Sequence, residues 1–192
     1  MTERAAGGPT QSVARNKILQ TADRLFYSEG IRAVGIDRVV TESGVARVTF
    51  YRHFPSKDAL VVAYVGLRLQ HDRDELAELK ELYQEPREVL RAIGRRLYEE
   101  AAAAGFRGCP YSNVSTEFFD KNHPVRDATL QHRIWFMAEV EQMLQAMGHP
   151  APPVAAERLL MLRAGAMAIA ANNGWERPMW KVFLDTWNDV IG

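Results

Sequence analysis

Apolar residues recur three and four positions apart along almost the whole chain, the spacing that lays one face of an α-helix against a core. Ile18, Leu19, Ala22, Leu25 and Phe26 predict a helix over 13–29, with Gly30 placed to cap its end. Ile36, Val39 and Val40 mark a short helix over 36–43. Gly44 supplies a turn, and a third helix follows over 46–53 with Val48 or Phe50 as its buried anchor. Ser56 can cap a long helix reaching about residue 82, marked by Leu60, Tyr64, Leu67, Leu76 and Leu79. At 1.5 Å per residue it forms a rod of roughly 40 Å.

Pro86 suits the first position of the next helix, whose inner face is Leu90, Ile93, Leu97 and Ala101 and whose end is Gly105. Further helices are predicted over 112–119, 125–147, 154–171 and 178–191, separated by Gly108-Cys109-Pro110, Asn122-His123-Pro124, Gly148-His149-Pro150 and Asn172-Asn173-Gly174. Leu130, Ile134, Met137, Val140, Leu144 and Met147 are the apolar marks of the helix over 125–147. No alternating strand pattern and no internal repeat occurs. The expected fold is all-α, of about nine helices, with a polar, flexible arm at 1–12.

Composition sharpens this only where it is divided. The 192 residues carry no net charge, but residues 1–60 hold 9 basic against 6 acidic side chains, and the remainder 15 against 18. Positive charge therefore collects around the first three helices, as a polyanion reader requires. The single cysteine, Cys109, permits no internal disulfide, which fits a reducing cytoplasm. The N-terminal residues lack the apolar core of a signal peptide. No run approaches the roughly 18–20 apolar residues of a membrane span.

The densest chemistry lies at Ser43-Gly44-Val45-Ala46-Arg47-Val48-Thr49-Phe50-Tyr51-Arg52-His53-Phe54-Pro55-Ser56-Lys57. Two short helices meet through a glycine turn, and the second mixes cationic and hydroxyl side chains with buried-type aromatics. A helix fits the major groove of B-DNA, where guanidinium reads guanine in bidentate fashion. Arg47 is the candidate base reader, and Thr49 can touch a phosphate or a thymine methyl. Tyr51, Arg52 and His53 are candidates for phosphates. Lys57 lies in the first turn of the next helix, where free N–H groups already favour anions.

Residues 13–60 resemble the DNA-binding head of the TetR/AcrR family of bacterial transcriptional regulators. The signature is Leu25-Phe26…Gly30, Val39…Ser43-Gly44-Val45, Thr49-Phe50-Tyr51, His53-Phe54, Ser56-Lys57 and Leu60. The resemblance implies a cytoplasmic homodimer that binds a palindromic double-stranded DNA operator. It further implies a head over 13–57, and a body over 58–192 that binds a small-molecule effector and dimerises. No cofactor, metal or catalytic residue is implied. The family's operator contacts would fall at Arg47, Thr49, Tyr51, His53 and Lys57. Members often open the second helix with Ser or Thr, where this chain has Gly35. They often place Ser at Ala46 and a small residue at Val48, so contacts at 35, 46 and 48 do not carry over.

In the body, Phe106, Cys109, Tyr111, Asn113, Phe118, Trp135, Phe136, Met137 and Met167 offer large or soft walls for a largely hydrophobic effector. Arg107-Gly108-Cys109-Pro110…Asn113 and His123-Pro124-Val125-Arg126 resemble one branch of the same family. The family pairs its last two long helices across a dimer axis, which would bring Ala164, Met167, Ala168, Phe183, Trp187 and Ile191 to the interface. Repression, released by effector, is the family's usual habit. His123 with His132, or His71 with Asp72, match no strong metal motif, and solvated or capping roles are expected. Two other readings remain: an effector-independent DNA-binding or interaction protein with a filled body, and a helical enzyme using Cys109 or the histidines.

Overall fold

A computed structural model describes residues 9–173 and 177–192. Among them the chain forms nine helices and no strand. In order they are α1 (Pro9–Glu29), α2 (Ile36–Ser43), α3 (Arg47–His53), α4 (Lys57–Leu82), α5 (Pro86–Ala102), α6 (Pro110–Glu117), α7 (Pro124–Ala146), α8 (Pro152–Asn173) and α9 (Arg177–Ile191).

Local chemistry explains most boundaries. Gly30 ends α1 at φ 89°, with its N–H donating to the Phe26 carbonyl. Gly44 ends α2 in the left-handed region, where a Cβ would be strained. The Ser56 hydroxyl caps α4 by accepting from the Ala59 N–H at 3.0 Å. Gly35 and Ala46 stand at the N-caps of α2 and α3 without a side-chain bond. Ala46→Ser is expected to supply the missing acceptor and stabilise the fold by about 1 kcal/mol. In a thermal melt that is a rise of about 2–4 °C; an unchanged midpoint would mean the hydroxyl finds no backbone donor.

Two expected starts move. α1 begins at Pro9 rather than 13, because proline at a first helical turn sacrifices no hydrogen bond. Of the expected arm, residues 1–8 lie outside the described residues. α6 begins at Pro110 for the same reason, directly after Gly108 turns at φ 88°. The break expected at Asn172-Asn173-Gly174 lies partly outside the described residues, with α8 continuing to Asn173.

α1 packs on α2, α3 and the start of α4, and α4 then runs on to meet α5, α6 and α7. α8 lies against α7, α5 and α9, and α9 closes on α5. One core joins Ile18, Leu25, Phe26, Val39, Phe50, Leu60 and Tyr64 to Cys109, Tyr111, Val114, Val125 and Met167. The apolar centre of α1–α3 therefore continues into α6, α7 and α8. A second core gathers Leu90, Val140, Leu144, Ala156, Leu159, Phe183, Trp187 and Ile191 further along the bundle.

The inward stripe of α7 differs from expectation. It is Val125, Thr129, His132, Phe136, Val140, Met143 and Leu144, whereas Leu130 and Ile134 are exposed. Successive helix positions turn by about 100°, so one-residue offsets from the buried stripe face away. Two polar groups, Thr129 and His132, take the interior places instead.

Candidate functional site

α3 is held to the head by Phe50, which is fully buried and sits edge-to-face with Tyr51 at 5.3 Å. Val48, the other anchor considered, is 81% exposed. With Phe50 inward, Val48 falls on the outer face beside Arg47, Tyr51 and Arg52, all exposed. Spacing alone allowed either residue to be the anchor, because both are apolar and two positions apart. The outward valine puts an apolar side chain on the same face as Arg47 and Tyr51.

Arg47 pairs with Asp37 of α2, and its guanidinium lies 5.8 Å from the Tyr51 ring centroid. The pair is exposed, so its worth is orientation rather than stability. Thr49 and Arg52 border an open concavity with Lys17 and the Gly44 turn. Lys17 was missed by reading α3 alone; it reaches this edge from α1. Lys57 is half-buried, and burial holds its ammonium below the usual range. His53 has its Nε2 buried without a partner, and burial, then Arg52 and Arg15, hold the imidazole below its usual pKa. That nitrogen faces no phosphate in this conformation. Arg38 bridges Glu29 of α1 and Glu42 of α2, and Arg24 also reaches Glu42.

Between α4, α5, α7 and α8 lies a cavity of about 140 Å³. Leu76, Leu97, Trp135, Phe136 and Val140 are among its apolar walls, and Asp72, Glu100, His132 and Arg163 are among its polar ones. Tyr111 donates its hydroxyl proton to Asp72 at 2.7 Å and stacks on His132 with centroids 3.5 Å apart. His132 Nε2 is 3.2 Å from the same carboxylate. Burial works to raise the Asp72 carboxyl, but bonds from His132 and Tyr111 bring it below its usual value. His132 is itself held below its usual value by burial, although the bond to Asp72 works the other way. It is not the solvated group expected from sequence. His123 does cap, accepting from the Val125 N–H at the start of α7. No group of three potential metal-binding side chains occurs among the described residues.

Of the nine predicted wall residues, only Trp135 and Phe136 line this cavity. Cys109 and Tyr111 stand just behind it, touching Arg163 and Asp72 respectively. Phe106, Phe118 and Met167 pack with the first core, and Met137 with the second. Asn113 turns back to the Arg107 carbonyl at 2.8 Å. Sequence gave one overlooked signal for the cavity: Arg163 interrupts the small, apolar run of α8.

α6 joins this region to the head. At its near end, Cys109 is the N-cap and meets Arg163, while Tyr111 meets Asp72. At its far end, the Glu117 carboxylate accepts from the Ile31 and Arg32 N–H groups at 2.8 and 2.7 Å. Arg32 returns a bond to the Glu117 carbonyl at 2.9 Å. The Tyr27 hydroxyl donates to the Gly108 carbonyl and accepts from the Arg107 N–H, both at 3.1 Å.

The predicted interface residues divide. Ala164 and Ala168 are exposed on α8, near exposed Met161 and Ile169. Met167, Phe183, Trp187 and Ile191 are buried within the protomer and leave almost no surface to a partner. On α9 it is Val182 that faces outward, at 64% exposed.

A short outward-facing helix braced by a second across a glycine turn, at one end of a helical bundle, defines a helix-turn-helix DNA-binding regulator. Residues 18–64 match the model of the bacterial regulatory proteins of the tetR family. Over 94% of this chain and 95% of the other, the structure superposes on SCO4454, a TetR-family transcriptional regulator from Streptomyces coelicolor, with 37% identity and TM-score 0.86. The chain belongs to the TetR family and is a transcriptional regulator rather than an enzyme. It is also 27% identical to the HTH-type transcriptional regulator LmrA of Bacillus subtilis over 135 residues, 69% of this chain and 72% of that protein. E. coli NemR in its reduced form, at 22% identity and TM-score 0.82 over 93% of this chain and 97% of that one, shares the fold. No helix among the described residues is long and apolar enough to cross a membrane.

Proposed function

We propose that this chain is a dimeric repressor released from a palindromic operator by a small, largely apolar effector. Residues 13–57 read DNA, and 58–192 bind the effector and dimerise. Arg47, Val48 and Thr49 face the bases, while Lys17, Tyr51, Arg52 and Lys57 serve the phosphates. The observation that carries the effector reading is α6. One end of this helix touches two cavity groups, and the other holds the loop between α1 and α2 through Glu117. A ligand that favours a different setting of α6 biases the position of the head, with coupling of about 1–3 kcal/mol.

Two subunits pairing through the outer faces of α8 and α9 place two α3 helices on successive major grooves, about 34 Å apart. Exposed Met161, Ala164, Ala168 and Val182 supply an apolar seam for that pairing.

The test begins with genomic fragments selected by the full-length protein. Release from those fragments is then measured across a library of small metabolites. Wild-type protein is expected to release DNA with at least one binder. Glu117→Ala is expected to keep its DNA affinity and its ligand affinity while losing most of the release. A variant with undiminished coupling would remove α6 from the route, and a library without any releasing binder would reject effector control.

A further inference from the structure

Among the described residues Arg163 is the one Lys or Arg that is buried, 8% exposed in the middle of α8. A guanidinium presents five N–H donors and no acceptor. Here it makes a single hydrogen bond, from Nη1 to the Cys109 sulfur at 3.8 Å, and its carbon lies 5.3 Å from the centroid of the Phe136 ring. Sulfur is a weak acceptor, and an aromatic face satisfies charge without satisfying directed donors. Nε and Nη2 have no protein acceptor, yet neither is sealed within packed side chains; Arg163 opens on the cavity. Leaving a buried charge so poorly bonded is costly unless another group completes it.

Asp72 and Glu100 lie near enough to favour the charge of Arg163, but no cavity acid reaches it with a hydrogen bond or an ion pair. Glu75 pairs with Arg96, Glu139 with Lys80, and Asp72 takes its bonds from Tyr111 and His132. Glu100 makes no ion pair among the described residues, and burial raises its carboxyl although Arg163 works to lower it. The free space of about 140 Å³ is close to that of an apolar cavity known to hold benzene, roughly 150 Å³. Trp135 and Phe136 provide flat walls for such a ring.

We infer that the body binds a single-ring aromatic carboxylate, its carboxylate forked on Arg163 and its ring lying against Trp135 and Phe136. Planar guanidinium and planar carboxylate match in two parallel bonds. This rests on the effector-controlled reading above and names the chemical class of the effector. In taking Arg163, the carboxylate competes with Cys109, which stands at the N-cap position of α6.

The experiment uses matched probes on the full-length protein: benzoate and phenylacetate, their neutral amides, and benzylamine. Affinity is measured by calorimetry, and release of the selected DNA by fluorescence anisotropy. The acids are expected to bind at least about tenfold more tightly than the amides and to release DNA. Arg163→Gln should reduce that preference to about twofold or less, whereas Phe136→Leu should weaken acid and amide alike. If Arg163→Gln does not fold, the acid–amide comparison on the wild-type protein still decides. Amides binding as well as acids, or benzylamine binding most tightly, would overturn the assignment and hand the cavity to Glu100 and Asp72. Should other library compounds release DNA while these acids do not, the assignment falls alone; should nothing release it, the effector-controlled reading falls with it.

Discussion

Trp187→Ala is expected to remove about 3–5 kcal/mol of folding free energy, the range for emptying a large aromatic site in a packed core. Trp187 is fully buried on α9, and its indole N–H donates to the Leu90 carbonyl of α5 at 2.8 Å. Truncation leaves a cavity, and the Leu90 carbonyl keeps only its bond within α5. Against a usual stability of about 5–15 kcal/mol, this threatens the native state itself. The measurement is urea unfolding at one fixed protein concentration, because dimerisation would make stability depend on concentration. Gly94 provides an independent check on the same contact: a Cβ built there would meet Trp187 Cδ1 at 3.0 Å. Gly94→Ala should therefore cost about 1–3 kcal/mol through overpacking, although alanine is the better helix former. A loss below about 1 kcal/mol for Trp187→Ala would mean the indole does not close α5 on α9.

Arg47→Ala carries the second large effect, on DNA. A bidentate guanidinium–guanine contact is worth about 1–3 kcal/mol, and a dimer makes it twice, so specific binding should weaken by about 2–6 kcal/mol. The base preference at one position of each half-site should relax. In the free protein Arg47 is paired with Asp37, so part of the gain on DNA is offset by parting or reorienting that pair. Lys57→Ala serves as the contrast. It should weaken operator and random DNA alike and flatten the dependence on salt, because a phosphate contact carries no sequence information. Arg47→Ala reducing both DNAs equally would remove it from base reading and leave Val48 and Thr49 as the readers on α3.

The head was legible because its determinants are local. Gly44 in the left-handed region, Ser56 capping α4 and the apolar spacing of α1 all act within a few residues of one another. Their physics is turn geometry and helix capping, which a string of residue types carries. The orientation of α3 was legible only in part. Val48 and Phe50 were equal candidates for the interior, and packing against α1 and α2 chose the larger, aromatic residue. The expected body walls fared less well, since a large apolar side chain fills a core as readily as it lines a cavity. Phe106, Phe118, Met137 and Met167 were taken up by packing.

The charged members of the cavity were illegible for a different reason. Asp72 and His132 come from α4 and α7 and Arg163 from α8, while Cys109 and Tyr111 stand behind them at the start of α6. Apart from Arg163, which interrupts an apolar run, each looks ordinary among its own neighbours. Their significance is created by burial and by mutual distance, and neither is a property of sequence spacing.

By itself the residue order determined an all-helical chain, the places where most helices stop and start, and a basic helix-turn-helix near its amino end. These follow from periodicity, caps and turns, whose range is a few residues. Tertiary structure alone decided that Val48 faces out and Trp187 in, that Arg163 is buried with donors to spare, and that Glu117 grips a loop more than eighty positions earlier in the chain. Such contacts depend on how whole helices pack, and packing is settled by shape and buried area across the molecule.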